Sequence, residues 1–566
     1  MARADLARLF RYRDGFAGRD AGELRVTPAL PFLRSPPFPG VSADIAAISV
    51  AGEESVPVSD ALLDRIAWER VGGCFWGAPP KGIRVVVGSD VPVPVTGDWG
   101  EAMEHIGILP GAKALPRKGR SLPRDCDLWA LVGGAQSVHA GPDEEVALIA
   151  GLLGVPVTGP DGAPIPATEL RVEAARRIGA ARYRDCFTGE PIGAEAAVDI
   201  LSDWRRHMDD NRGLSAASGM AFWKRDAMTR LLWDGHRAPP FLSARRGLRR
   251  AGRERGTLAI WPSRVPATLR ADAARAGIPV ARVEDGFLRS KGLGAALHPP
   301  GSVVVDRSGI YYDAQGPSDL ETLLATRDFT PDVRARAKAL RERLCASGVT
   351  KYGRGAGHMI DLPKGRRTVL AVGQVDDDLS VRLGGAGVAG NLDFLTRVRA
   401  AEPDAWIVYR PHPDVQAGLR KGHVADAAVL SHADAIDMGS PLMDLVQAVD
   451  DVHVLSSLTG FEALMRGCSV TVHGMPFYAG WGLTRDLAPP CPRRGRILDI
   501  DALVAGALIL YPRYVDPVTG LACGPELMAE RIAHGPAPTA NWLIRLRTLQ
   551  GRVRRFMTLS AERAHG

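Results

Sequence analysis

Cysteine is sparse and scattered: Cys74, Cys126, Cys186, Cys345, Cys468, Cys491 and Cys523 form no CxxC pair and no His/Cys cluster. That pattern excludes a structural zinc site and leaves ordinary free thiols. No apolar run reaches the roughly 18 to 20 residues of a membrane-spanning helix, and the start, MARADLARLFRYRDGFAGRD, lacks the apolar segment of a signal peptide. A cytoplasmic protein is therefore expected. G-x-x-x-x-G-K-[ST], G-x-S-x-G and a strand-following G-x-G-x-x-G are all missing, so nothing supports an NTPase, esterase or dehydrogenase. Acidic residues fall only slightly short of basic ones, with a net charge of +7 over 566 residues. The excess is concentrated in SARRGLRRAGRER (243–255) and the tail RLRTLQGRVRRFMTLSAERAHG (545–566). A solvated helix face is the ordinary reason for such runs; without a nucleic-acid module, an anionic membrane surface is the partner they would otherwise fit, and nucleic acid is not expected.

What is present is a regular alternation. TLAIWPS (257–263), IPVARVED (278–285), RTVLAVGQ (367–374), AWIVYRPHP (405–413) and DDVHVLSS (450–457) read as buried strands separated by longer helical stretches. The pattern predicts α/β domains with doubly wound parallel sheets. Ser318 ahead of Glu321 marks a helix start, and the glycine-rich basic stretch before residue 360 reads as a linker between two Rossmann-like halves. The chain also repeats itself faintly. VHAGPDEEVALIAGLLGVPVTG (138–159) matches VLSSLTGFEALMRGCSVTVHG (454–474), RYRDCFTG (182–189) matches RYVDPVTG (513–520), and IRVVVGSD (83–90) matches TVLAVGQV (368–375). The order is kept, which predicts that residues from about 60 to 190 are a decayed copy of part of a later module.

Four loops follow predicted strands, where doubly wound folds bind their ligands. Glu284-Asp285-Gly286 pairs two carboxylates, one of which could move a proton; a helix cap is the plainer alternative. GQVDDDLS (373–380) offers Asp376, Asp377 and Asp378, suited to a nucleophile or, through D-x-D, a divalent metal. YRPHPDVQAGLRKG (409–422) sets Arg410, His412, Arg420 and Lys421 near one another, with His412 fixed between Pro411 and Pro413 as a phosphate contact would be. LSSLTGFEALMRG (455–467) opens a helix with Ser456, Ser457 and Thr459, an anion site or simple capping. HGMPFYAGWGLT (473–484) adds Phe477, Tyr478 and Trp481, either as an exposed loop that closes over a sugar or as core.

The acidic pair ending in glycine, the His-Pro loop and the Ser-Ser loop, in this order, resemble glycosyltransferases that use CMP-activated acidic sugars. RVEDGFLRSKGLG, GIYYDAQGPSDLE, GQVDDDLSVRLGG, SSLTGFEALMRG, PFYAGWGLTRD and LYPRYVDPVTG resemble, more closely, the KpsC/LipA family of capsular polysaccharide biosynthesis proteins. The resemblance, over about 218–530, implies a GT-B fold and a retaining β-Kdo transferase that adds Kdo from CMP-Kdo to a lipid acceptor at the inner membrane. It implies an acceptor-side half at 218–360, a CMP-sugar half at 361–530 and a basic helical tail at 531–566. Residues 1–210, without VEDGFLRS, His-Pro or PFYAGWG counterparts, are expected to form a degenerate, inactive module. By the same resemblance Asp378 is the nucleophile, with Asp377 the fallback, and Glu284 or Asp285 is the acid/base. Gln374, Arg410, His412, Pro413, Ser456, Ser457, Thr459 and Glu462 hold the nucleotide, and Arg289, Ser290, Lys291, Tyr478 and Trp481 form a substrate loop. No metal or other cofactor is expected, CMP-Kdo being a co-substrate, and capsule-assembly proteins are possible partners. Another nucleotide sugar, or a silent scaffold of a capsule-assembly complex, are the competing readings.

Overall fold

The computed structural model describes residues 30–51, 55–88, 106–110, 119–123, 125–289, 299–348 and 357–535. Ser290 and Lys291 of the expected substrate loop, and the tail beyond 535, lie outside the described residues.

Three six-stranded sheets and one three-stranded sheet carry the fold. The last of the large sheets is wholly parallel and runs Ala435–Ile436, Trp406–Arg410, Thr368–Val372, Asp451–Val454, Val470–Val472, Arg485–Asp486. In chain order this is 3-2-1-4-5-6, the Rossmann order, with its switch point between the strands at 368–372 and 451–454. Because helices cover both faces, Thr368–Val372 and Asp451–Val454 are buried at every position, the second with Asp451 and His453 among its buried residues.

The acceptor-side sheet departs from the expected all-parallel form. Leu214–Ser218, Thr257–Ile260 and Val280–Asp285 are parallel, but Ser302–Asp306 is antiparallel to Val280–Asp285. Pro512–Val515 then pairs with Ser302–Asp306, and Ala522–Cys523 with Pro512–Val515. The chain thus returns to the first half, and the segment expected at 361–530 contributes strands to both sheets. Phe287 of one half packs on Phe477 of the other, ring centroids 4.6 Å apart, within a core cluster that joins the two halves in a GT-B arrangement.

The amino-terminal sheet repeats the Rossmann order, Arg120–Ser121, Ile106–Ile108, Val85–Val87, Ser137–His139, Val157–Thr158, Pro164–Ile165, with only its last strand antiparallel. Each faint sequence match falls on an equivalent place. Val85–Val87 and Thr368–Val372 are the first strands, and Ser137–His139 and Asp451–Val454 the fourth. The third match is one hairpin seen twice: Tyr183 pairs with Ile192 as Tyr514 pairs with Cys523. Asp185 and Asp516 both accept backbone N–H groups from the following turn. Ser49–Ala51 runs antiparallel to Ala181–Arg184 as Ser302–Asp306 does to Pro512–Val515.

Candidate active site

The acidic pair is the end of a strand, not a helix cap. Alternation along Val280–Asp285 sends neighbouring side chains to opposite faces, so the two carboxylates leave the strand in different directions. Asp285 meets Lys224 Nζ at 3.0 Å and Arg289 Nε at 2.7 Å. Lys224 also lies 3.5 Å from the Trp261 ring centroid. Burial lowers the Lys224 pKa, opposed by Asp285 and then Glu284. Gly286 is required by close approach, since a Cβ there would collide with Ser302 on the antiparallel neighbour. Arg289, expected in a substrate loop, is instead fully buried and bound to Asp285.

Across the cleft, Asp378 caps the helix Leu379–Gly384: its Oδ1 accepts from Ser380 N and Oγ, both at 2.9 Å. Its Oδ2 lies 3.9 Å from Arg420, which holds Asp377 at 3.0 Å. Asp376 is turned away, bonded to Asn391 at 3.3 Å, and burial raises its pKa. The D-x-D carboxylates are therefore held by separate partners. Tyr311 and Tyr312 connect the two sides. Burial is the main reason their pKa values rise, and Glu284 and Asp378 both add to it, so both acids lie near these rings.

The residues expected to hold a nucleotide gather at the carboxyl ends of the three central strands. Gln374 bridges the switch point: its Oε1 accepts from Ser456 N at 2.7 Å and its Nε2 donates to Ser456 Oγ at 3.1 Å. His412 Nδ1 accepts the Asp414 amide at 3.1 Å, so the neutral ring carries its proton on Nε2. His412 and Pro413 begin the short helix Pro413–Gln416. Ser457 caps Leu458–Met465 and bonds Thr459 Oγ1 at 3.1 Å. Arg410 is occupied by Asp437 and by Ser440 O at 3.0 Å, so it braces the loop; burial opposes ionisation of Asp437, but Ser440 and Arg410 hold its carboxyl low. Glu462 is buried beside Phe287, Leu458 and Phe461 around a small internal cavity.

The aromatic loop is core, not an exposed flap. Trp481 and Tyr478 are both 0% exposed; Trp481 Nε1 donates to Phe477 O at 2.8 Å, and the Tyr478 hydroxyl donates to Ser457 O. Gly460 leaves room for that hydroxyl, since a Cβ would strike it. The loop therefore supports the helix Leu458–Met465 from beneath.

Sequence reasoning missed Asn391, whose side chain bonds Gln374 N and O and Gly422 O, tying three loops together. It also missed Lys224, which no motif marks, and gave no role to the tyrosines of GIYYDAQG. Among the described residues, the group with metal-ligand spacing is Glu402, Asp451 and His453, toward the amino-terminal ends of the strands. Arg367 and Arg485 already bind its carboxylates, making it an ion-pair network.

A family model for capsule polysaccharide biosynthesis proteins matches residues 257–350 and 338–514. The chain is 37% identical over 366 residues to capsule polysaccharide modification protein LipA of Neisseria meningitidis, 64% of this chain and 52% of that one. It is 45% identical over 251 residues to the lipopolysaccharide-processing protein LpsZ of Rhizobium meliloti, 43% of this chain and 56% of that one. The chain thus spans about half the length of the curated relatives it matches. Two solved structures of Thermosulfurimonas dismutans KpsC, a β-Kdo 2,7 transferase and a β-Kdo 2,4 transferase, are 33% and 31% identical. Each match covers 56% of this chain and 98% of that one, with TM-scores of 0.47 and 0.48. The strand ends that carry Glu284, Asp378, His412 and Ser457 all lie within the family match, and the chain belongs to the KpsC and LipA family of capsule polysaccharide biosynthesis proteins.

Proposed function

We propose that this protein is a retaining β-Kdo transferase that moves Kdo from CMP-Kdo to a lipid-linked acceptor in capsule biosynthesis. One observation carries the reading: the Tyr312 carbonyl packs on Gly384, at the end of the helix that Asp378 caps, while Arg282, two residues before Glu284 on its strand, binds Asp313 at 3.0 Å, so acids from different halves flank Tyr311 and Tyr312. Retention by double displacement needs a nucleophilic carboxylate and a second proton-moving group, and this pair supplies both.

Asp378 Oδ1 is fixed by the helix cap, so Oδ2 attacks the anomeric carbon. The bond from that carbon to the phosphate oxygen breaks, and CMP leaves with the electron pair. His412 Nε2–H and the start of the helix at Ser457 and Thr459 stabilise the leaving phosphate. The acceptor hydroxyl then bonds to the same carbon, Glu284 takes its proton, and the ester to Asp378 breaks. Glu284 is assigned this role because Lys224 and Arg289 engage Asp285. CMP departs as a monophosphate ester, so transfer proceeds without a metal.

No helix among the described residues is long and apolar enough to cross a membrane. The helix Ala244–Glu254 exposes Arg245, Arg246, Arg249 and Arg253 while burying Gly247 and Ala251, a basic face suited to an anionic leaflet that presents the acceptor.

The test is incubation with CMP-Kdo and a Kdo-primed synthetic lipid in EDTA, following CMP release and determining the product linkage by NMR. CMP release with a β-linked product is expected. No release, or turnover only with a divalent ion and a diphosphate donor, overturns the proposal.

A further inference from the structure

Tyr312 is 6% exposed, and its hydroxyl reaches no hydrogen-bond partner among the described residues. A buried phenol normally finds one, because an unmade hydrogen bond is costly. Its position shows where a partner would come from. Arg282 and Glu284, two apart on one strand, share a face, and Arg282 Nη1 binds Asp313 Oδ2 at 3.0 Å. That ion pair lays residues 311–313 over the face that Glu284 occupies. On the other side, the Tyr312 carbonyl packs on Gly384, where a Cβ would come within 3.1 Å. Gly384 ends the helix that Asp378 caps. Tyr311 completes the wall, edge-on to Phe287 at 4.8 Å.

We propose that the Tyr312 hydroxyl contacts substrate, donating a hydrogen bond to the carboxylate of an acidic sugar held between Glu284 and Asp378. The proposal rests on the Kdo-transfer reading and deepens it by naming the group that receives the sugar's negative charge. A sugar carboxylate brought between two protein carboxylates is repelled by both. A neutral donor offsets that repulsion without adding charge, and burial with the two nearby acids keeps this phenol protonated across the working pH range. An uncharged sugar would gain much less from such a donor.

Tyr312→Phe removes only the hydroxyl. With CMP-Kdo and the primed lipid, kcat/KM should fall on the order of tenfold to a hundredfold. Calorimetric affinity for CMP alone should stay within about twofold, because CMP lacks the acidic sugar and its carboxylate, and the melting temperature should not drop, because no internal hydrogen bond is lost. A variant with wild-type kcat/KM, an equal loss of CMP affinity, or a lowered melting temperature overturns the contact. Wild-type protein that releases no CMP from CMP-Kdo overturns the functional reading and this contact with it, whereas an unaffected variant of an active wild type overturns the contact alone.

Discussion

Lys224 and Asp285 form a largely buried ion pair, 3.0 Å from Nζ to Oδ1, with the lysine set over the Trp261 ring. With Arg289 on the other oxygen, Asp285 anchors the loops after two strands, and Glu284, its neighbour on the strand, points to the opposite face. Asp285→Asn should therefore cost about 3 kcal/mol of unfolding free energy by leaving two buried cations poorly paired. Glu284→Gln should unfold like wild type yet lose roughly a thousandfold in turnover. Urea titration and CMP release measured on both variants separate the roles; equal stability of Asp285→Asn and wild type would remove the anchor.

Asp378 caps a helix and, in the proposed mechanism, attacks the sugar, and the two duties respond differently to substitution. Asparagine caps as well as aspartate does, so Asp378→Asn should keep the wild-type melting temperature while abolishing transfer. Asp378→Ala should lose transfer and also about 1 kcal/mol of stability. In Glu284→Gln, mass spectrometry after CMP-Kdo treatment should find a Kdo adduct on the peptide containing Asp378. An adduct on Asp377 instead would move the nucleophile by one residue.

The amino-terminal module should act as a brace. Trp204 is 1% exposed and donates from Nε1 to Ala522 O at 2.7 Å, while Leu521 and Ala522 of the later hairpin are buried in the amino-terminal core. Trp204→Ala should lower unfolding free energy by about 3–5 kcal/mol. Trp204→Phe keeps most of the packing but leaves that carbonyl unpaired, for a loss of about 1–2 kcal/mol. Denaturation followed by a probe in the catalytic halves should report both losses; two independent transitions with only the first shifted would argue against bracing.

Acid should destabilise the fold before the carboxylates titrate. Burial, then His453, Arg397 and Arg485, pulls His473 down to about 4 from 6.5, with Asp451 opposing. Burial and Arg513 pull His207 to about 4, with the Arg230 carbonyl opposing. Both folded pKa values are depressed, so the stability they carry is complete above the unfolded value and is lost as pH falls. From pH 7 to 5 the loss should be about 2 kcal/mol per histidine. His473→Gln should flatten the urea midpoint against pH over that window; an unchanged slope would assign the effect elsewhere.

The strands and loop positions were legible in the sequence because their causes are local. Thr368–Val372 is buried on both faces and so reads as an unbroken apolar run, and Ser318 Oγ accepts from Glu321 N at 3.1 Å, as the cap spacing predicts. The repeat was legible because a hairpin such as 181–192 needs its turn residues in order wherever it occurs. Tyr478 and Trp481 were open to either reading because an aromatic between glycines has the same local pattern exposed or buried. What decided between them was the start of the helix at Ser457, 21 residues before Tyr478.

By itself the sequence determined the α/β class, the family, and the loops that bear Glu284, Asp378, His412 and Ser456. The tertiary structure alone decided that Glu284 and Asp285 point to opposite faces of their strand, that Lys224 and Arg289 bind Asp285, and that 512–523 returns to the first sheet. It also brought Tyr312 near Glu284 and Asp378. The first group of facts follows from periodicity and capping within a few residues. The second depends on contacts between residues far apart in the chain, such as Lys224 with Asp285 or Val304 with Pro512, and those arise only when the chain packs.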